Sequence, residues 1–134
     1  MKIHHIGYAV KNIERSRDAF LQLGYQNEGD IVVDGARNVK ILFMACGGGQ
    51  KIELIEAYNK EKPSPVDNYL RKQKDMAVPY HLCYEASDIE GKIQELQKEK
   101  FILVGKPQEA PAINGANVAF LYKRTVGLIE LVEV

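Results

Sequence analysis

The 134-residue sequence lacks most of the features that mark a compartment or a polyanionic partner. Charge imbalance is missing: 18 Lys plus Arg meet 18 Asp plus Glu, so no long-range field draws in a phosphate backbone or an anionic membrane. Nucleic acid and membrane are therefore not expected as partners. Long apolar runs are missing too. The longest covers residues 41–46, whereas a membrane span needs about 20 residues and a signal-peptide core about 7 to 15. Cysteine is scarce. Cys46 and Cys83 lie in strand-like segments without CxxC spacing, which reads as reduced thiols in a cytoplasmic protein. Gly47-Gly48-Gly49 has no Lys-Ser or Lys-Thr sequel, so it reads as a hairpin turn and not a phosphate loop. With 46% hydrophobic and 27% charged positions, residues 1–134 suit one globular domain. A chain of that size buries roughly two thirds of its unfolded surface without staples, so a metal here would serve chemistry first.

What the chain does have is a repeat of itself. His5-Ile-Gly-Tyr-Ala-Val-Lys-Asn-Ile-Glu14 aligns with His81-Leu-Cys-Tyr-Glu-Ala-Ser-Asp-Ile-Glu90, and the His, the Tyr and the closing Ile-Glu are identical. His5 and His81 are 76 positions apart. Ile52-Glu53-Leu54-Ile55-Glu56 aligns with Ile129-Glu130-Leu131-Val132-Glu133, one position beyond that offset. Two separate matches at nearly one offset define a repeated unit.

Periodicity reads alike in both halves. Residues 2–10 alternate as a strand, and Asn12 caps a helix whose Ile13, Phe20, Leu21 and Leu23 favour one side before Gly24 ends it. Strands follow at residues 31–34, 39–45 and 51–56. The second half gives a strand at 79–86 and a helix capped by Asp88 that runs to about Lys100. Strands at 101–104, 117–122 and 128–134 complete it. Ser64-Pro65 predicts the cap and first turn of a linking helix through about Lys72. The expected fold is α+β: two tandem βαβββ modules, about residues 1–60 and 77–134, forming a curved mixed-sheet cup with the helices outside.

Strand alternation sorts the polar residues. His5 shares a face with Ile3, Gly7 and Ala9, while Tyr8 and Val10 point toward the helix. The same parity sets Glu53 opposite Ile52 and Leu54, His81 opposite Leu82, and Glu130 opposite Ile129 and Leu131. Two His and two Glu thus occupy equivalent positions of two repeats. Under an approximate two-fold they converge, and imidazole with carboxylate suits one divalent ion, Ni, Co, Zn or Mn.

These segments, His-His-Ile-Gly-Tyr-Ala-Val, Ile-Glu-Leu-Ile-Glu, Tyr-His-Leu-Cys-Tyr-Glu and Gly-Leu-Ile-Glu-Leu-Val-Glu, resemble the vicinal oxygen chelate superfamily over essentially the whole chain. Within it the chain is similar to the branch of glyoxalase I (lactoylglutathione lyase) and methylmalonyl-CoA epimerase, whose ligands run His, Glu or Gln, His, Glu. The resemblance implies His5, Glu53, His81 and Glu130 as metal ligands, a homodimer, and an enzyme that abstracts a proton beside a carbonyl. The ring-cleaving dioxygenases resemble a His, His, Glu pattern instead, and Glu53 at the second ligand position argues against them.

The first expectation is a glyoxalase I-like lyase that isomerises a 2-oxoaldehyde–thiol hemithioacetal through a metal-bound enediolate. The alternative is an epimerase-like isomerase acting on a 2-acyl-CoA thioester. A third reading is a metal-free drug-binding protein of the bleomycin-resistance kind, against which the full ligand quartet speaks. The substrate is accordingly a small thiol adduct or an acyl-CoA. Glu130 is expected as ligand and base, with Glu53 as its counterpart. Where bacterial glyoxalase I holds glutathione with Arg and Asn, this chain has Ala9 and Ala57. The stretch from Glu53 through Ser64-Pro65-Val66 resembles the epimerase, although Lys40 stands where some epimerases supply a further carboxylate. Lys60, Lys62, Arg71, Lys72 and Lys74 cluster around the linker and suit an anionic carrier such as CoA. Tyr8 and Tyr84 are expected to pack against the helices.

Overall fold

The computed structural model describes every residue except 73 and 74. The first module contains β1 (Ile3–Ala9), α1 (Ile13–Gln22), β2 (Gln26–Asn27), β3 (Val32–Asp34), β4 (Val39–Ala45) and β5 (Lys51–Ala57). After α2 (Asp67–Leu70) come β6 (Val78–Ala86), α3 (Ile89–Lys98), β7 (Ile102–Ala110), β8 (Ala116–Lys123) and β9 (Gly127–Glu133). Both βαβββ modules expected from the repeat are present. The chain divides into two compact units, residues 6–80, and residues 1–5 with 81–134. Among the described residues no helix is long and apolar enough to cross a membrane.

In the unit of residues 6–80, β1 runs parallel to β5 with Gly7 opposite Glu53. Strand β4 is antiparallel to β5, with Phe43 opposite Glu53. The short β2 and β3 both pair with the other edge of β4. One sheet face packs on α1 through Val10, Ile13, Leu42, Met44, Ile52 and Leu54, with Tyr8 and Phe20 against them. Asn12 caps α1 as expected, its side chain accepting from Arg15 N at 2.9 Å. A second cap comes from outside the helix: Ile13 N donates to Glu56 Oε1 at 2.8 Å. The expected inward stripe needs correction, because Leu21 and Leu23 are 40% and 70% exposed. At 100° per residue Phe20 returns to the face of Ile13 while Leu21 rotates past it, and Leu23 follows the last helical residue.

In the other unit β6 runs parallel to β9 with Cys83 opposite Glu130. Strand β8 places Phe120 opposite Glu130, and β7 places Val104 opposite Phe120. The helix-facing core joins Ile89, Ile93, Ala119, Leu121, Ile129 and Leu131, with Tyr84 packed on it. Asp88 caps α3 by accepting from Gly91 N at 3.0 Å. Ile89 N donates to Glu133 Oε1 at 3.5 Å, which repeats the contact of Ile13 with Glu56.

The hydrogen-bond register itself repeats. Gln26 pairs with Ala45 as Ile102 pairs with Tyr122, Val32 with Ile41 as Gln108 with Val118, and Phe43 with Glu53 as Phe120 with Glu130. The offset steps from 76 to 77 between the outer strand and the next, that is between β3 and β4 and correspondingly between β7 and β8. There residues 35–38 join β3 to β4, whereas residues 111–115, with the short 3-10 turn Pro111–Ile113, join β7 to β8. One inserted residue therefore explains both offsets. The outer strand is longer than expected in both modules. It is broken into β2 and β3 in the first, and in the second β7 continues through a register irregularity between Val104 and Gln108.

The linking helix is also corrected. It is only the four residues of α2, with Val66 at its N-cap position and no side-chain cap. Ser64 does not cap it: Ser64 N donates to the carboxylate of Asp67 at 2.9 Å. That bond folds Ser64-Pro65 into a turn before the helix begins.

Candidate metal centre

Buried ionisable groups are costly unless paired, and this chain buries several in one place. His5, His81 and Glu130 all belong to the unit of residues 1–5 and 81–134 and are 1%, 5% and 3% exposed. Strand alternation turns each away from the helix-facing core, and β6 and β9 bring His81 beside Glu130. His5 Nε2 and His81 Nε2 are 3.1 Å apart, and His81 Nε2 is 3.1 Å from Glu130 Oε2. Donors bonded to one ion at about 2.1 Å sit about 3.0 to 3.4 Å from their neighbours in octahedral or tetrahedral geometry. The observed spacings match that requirement, and imidazole nitrogen with carboxylate oxygen is the donor chemistry of a divalent first-row ion.

The atoms turned away from this point are also held. His4 Nδ1 hydrogen-bonds His5 Nδ1 at 2.8 Å, which leaves His5 Nε2 facing His81. The Cys83 thiol donates to Glu130 Oε1 at 3.7 Å, which leaves Oε2 with His81. Phe120 sets its ring edge-on to His81, centroids 5.3 Å apart. Burial pushes the Glu130 carboxyl upward, but the His81 hydrogen bond, the charges of His81 and His5 and the Cys83 hydrogen bond together hold it below the usual carboxylate range.

Glu53 lies in the unit of residues 6–80, 4% exposed, on β5. Its neighbours in register are Gly7 and Phe43, so it holds in its own module the position that Glu130 holds between Cys83 and Phe120. Three of the four expected donors are thus brought together within one unit, and the fourth occupies the equivalent place in the other.

Other expected residues have different surroundings. Lys40 pairs in register with Glu56 and lies 3.7 Å from its carboxylate. It shares the helix-facing side of β4 with Leu42 and Met44, so its position is not one from which a further carboxylate would join Glu53. Lys60 is also held by Glu56, at 2.7 Å. Lys60 and Arg71, with Lys11, line a cavity of about 470 Å³ beside Asp67, and Arg71 donates to Asn68. Lys74 lies outside the described residues. Sequence reasoning missed Phe43, Phe120, Cys83 as a partner of Glu130, His4 as a partner of His5, and the cap role of Glu56 and Glu133. The two Phe and the two capping Glu carry the repeat offset of 77, a signal that was there to read.

Residues 4–120 match the family model of the glyoxalase/bleomycin resistance protein/dioxygenase superfamily. No curated protein sequence matches the chain. Among solved structures, a hypothetical protein from Bacillus halodurans is 29% identical with a TM-score of 0.81, covering 99% of this chain and 94% of that one. Methylmalonyl-CoA epimerase from Mycobacterium tuberculosis is 20% identical with a TM-score of 0.83, over 98% and 87% of the two chains. A Streptomyces coelicolor methylmalonyl-CoA epimerase variant in complex with 2-nitronate-propionyl-CoA is 18% identical with a TM-score of 0.78, over 99% and 96%. At such identities the epimerases establish likeness of fold.

Proposed function

The chain belongs to the glyoxalase/bleomycin resistance protein/dioxygenase superfamily, and on that footing we propose that it is a metal-dependent enzyme moving a proton at the carbon beside a thioester carbonyl, in the manner of an acyl-CoA epimerase. The observation that carries this reading is the convergence of His5, His81 and Glu130 at ligand spacing. Glu53 completes the set by repeat equivalence, giving two His and two Glu around one ion of Ni, Co, Zn or Mn. When bound, such an ion supplies Lewis-acid stabilisation of the negative charge that develops on a carbonyl oxygen.

The chain's own residues supply the rest. His5 and His81 each offer a ring nitrogen, and the partner on His5 Nδ1 fixes which nitrogen of His5 faces the site. Glu130 takes the proton from the substrate carbon, and Glu53 is the counterpart that returns one. Phe120 covers one side of His81 and keeps water from it. An acyl-CoA is favoured over a glutathione hemithioacetal because Ala9 and Ala57, 0% and 6% exposed, offer no polar group to a tripeptide.

The test is to load the protein with Co²⁺ or Ni²⁺ and incubate it with a chiral 2-methyl-acyl-CoA in D₂O, and separately with methylglyoxal and a panel of thiols. Deuterium at C2 is the expected result. Isomerised thiol adduct without C2 exchange would replace this reading by the glyoxalase one, and silence in both with metal bound would refute both.

A further inference from the structure

Because the backbone register of the two modules is the same, positions at which their side chains differ show where the site has been specialised. One row crosses four strands of the second module: Cys83, Glu130, Phe120 and Val104 are successive partners. The matching row of the first module is Gly7, Glu53 and Phe43, continued by Glu28, whose N–H donates to Phe43 O at 2.9 Å. The centres of the rows are alike and their outer ends are opposite in character, Val104 against Glu28. The neighbouring row repeats the contrast. Leu128, Tyr122 and Ile102 are partners in the second module, and Lys51, Ala45 and Gln26 in the first. Lys51 and Glu28 close the first module's surface with an ion pair at 2.9 Å.

Cross-strand partners share a sheet face, so Val104, Phe120, Tyr122, Ile102 and Leu128 lie on the face that carries Glu130. Of these, Ile102, Val104 and Tyr122 are 65%, 49% and 41% exposed. The row from Glu130 through Phe120 to Val104 spans two strand spacings, about 10 Å, and is apolar from the donor carboxylate outward. We infer that this wall is the subsite for the apolar acyl arm of the substrate, with Val104, Ile102 and Tyr122 setting the length and polarity of the acyl group accepted. The inference rests on the acyl-thioester reading above and adds to it which acyl groups fit. Its continuity with Glu130 distinguishes this surface from an apolar patch elsewhere: a substituent on a carbon beside Glu130 that follows this row meets Phe120 and then Val104, both apolar.

The experiment measures binding of acetyl-CoA, butyryl-CoA and hexanoyl-CoA by calorimetry, with and without Co²⁺. It compares the native protein with the Ile102→Gln/Val104→Glu double variant, which carries the first module's residues at exposed positions. Sedimentation and C2 deuterium exchange are measured on the same samples. The native protein should bind each longer acyl-CoA more tightly, by up to about fourfold per methylene, the equivalent of ~0.8 kcal/mol per buried CH₂. The double variant should lose that gradient. Affinity flat in chain length, a gradient retained in the variant, or no binding of any acyl-CoA overturns the inference, even where C2 exchange occurs. A variant that differs only by dissociating a dimer also overturns it, since the wall then covers a second copy. A gradient abolished by the variant without C2 exchange by the native protein would leave the subsite standing and remove the proposed reaction.

Discussion

His5 and Glu130 each commit one polar atom to a neighbouring side chain, His4 and Cys83 respectively, and turn the other toward His81. Cys83 is fully buried and its thiol donates to Glu130 Oε1. Orienting partners of metal ligands are typically worth ~10-fold to 100-fold in affinity. Cys83→Ala should therefore weaken Co²⁺ binding by about that factor, and Cys83→Ser should recover most of it, since a hydroxyl can donate as the thiol does. Equal losses in both variants would show that the thiol acts by packing alone. Glu130→Gln removes the proposed base, and C2 exchange should fall by about 10²-fold to 10⁴-fold with the circular dichroism unchanged. A fully active variant would take Glu130 out of the mechanism. Acid stability follows from the same contacts. Because the native Glu130 carboxyl is held below its ordinary range, ionisation favours the folded state above that range, and the benefit is lost as pH falls through the lowered value. Urea midpoints of the metal-free protein between about pH 6 and pH 3 should fall more steeply for the native chain than for Glu130→Gln.

The elements were legible where one local signal agreed with the repeat, and were misread where a tertiary contact outweighed it. Asn12 and Asp88 mark both long helices from sequence alone, and both cap as expected. Ser64-Pro65 carries an equally good start signal, yet Asp67 captures Ser64 N and the helix opens after it. The outer strands were cut short because β2 is two residues long and β7 breaks register beyond Val104. Neither feature leaves an alternating pattern long enough to read. Nothing within the strand segments marks Glu56 and Glu133 as caps, and only the packing of each helix on its sheet reveals that role. Glu56 is 6% exposed and accepts from Ile13 N at 2.8 Å, whereas Glu133 is half-buried and accepts from Ile89 N at 3.5 Å. Glu56→Ala should accordingly cost about 1 to 3 kcal/mol in urea unfolding, the usual result of orphaning a buried donor. Glu133→Ala should cost less, and the reverse order would contradict this account of the caps.

Across the whole chain, zero net charge and short apolar runs argue against polyanionic and membrane partners without naming an activity, and the internal repeat is the informative signal. It marks His5, Glu53, His81 and Glu130 as equivalent pairs. The repeated register shows that equivalence for Glu53 and Glu130, each opposite a Phe, and for the strands of the two His, where Ile6 pairs with Ile52 as Leu82 pairs with Ile129. What stayed hidden was the difference between the modules, because Val104 against Glu28, or Cys83 against Gly7, gains meaning only when cross-strand partners are known. The central claim is that two His and two Glu from the two repeats hold one divalent ion. Its most direct test is metal content after equilibrium dialysis against Co²⁺, measured for the native chain and for His5→Ala, Glu53→Ala, His81→Ala and Glu130→Ala. The account predicts one tightly held ion per native chain and a marked loss of binding in each of the four variants, with the fold retained. A native chain that holds no ion, or variants that bind as tightly as the native chain, would contradict it.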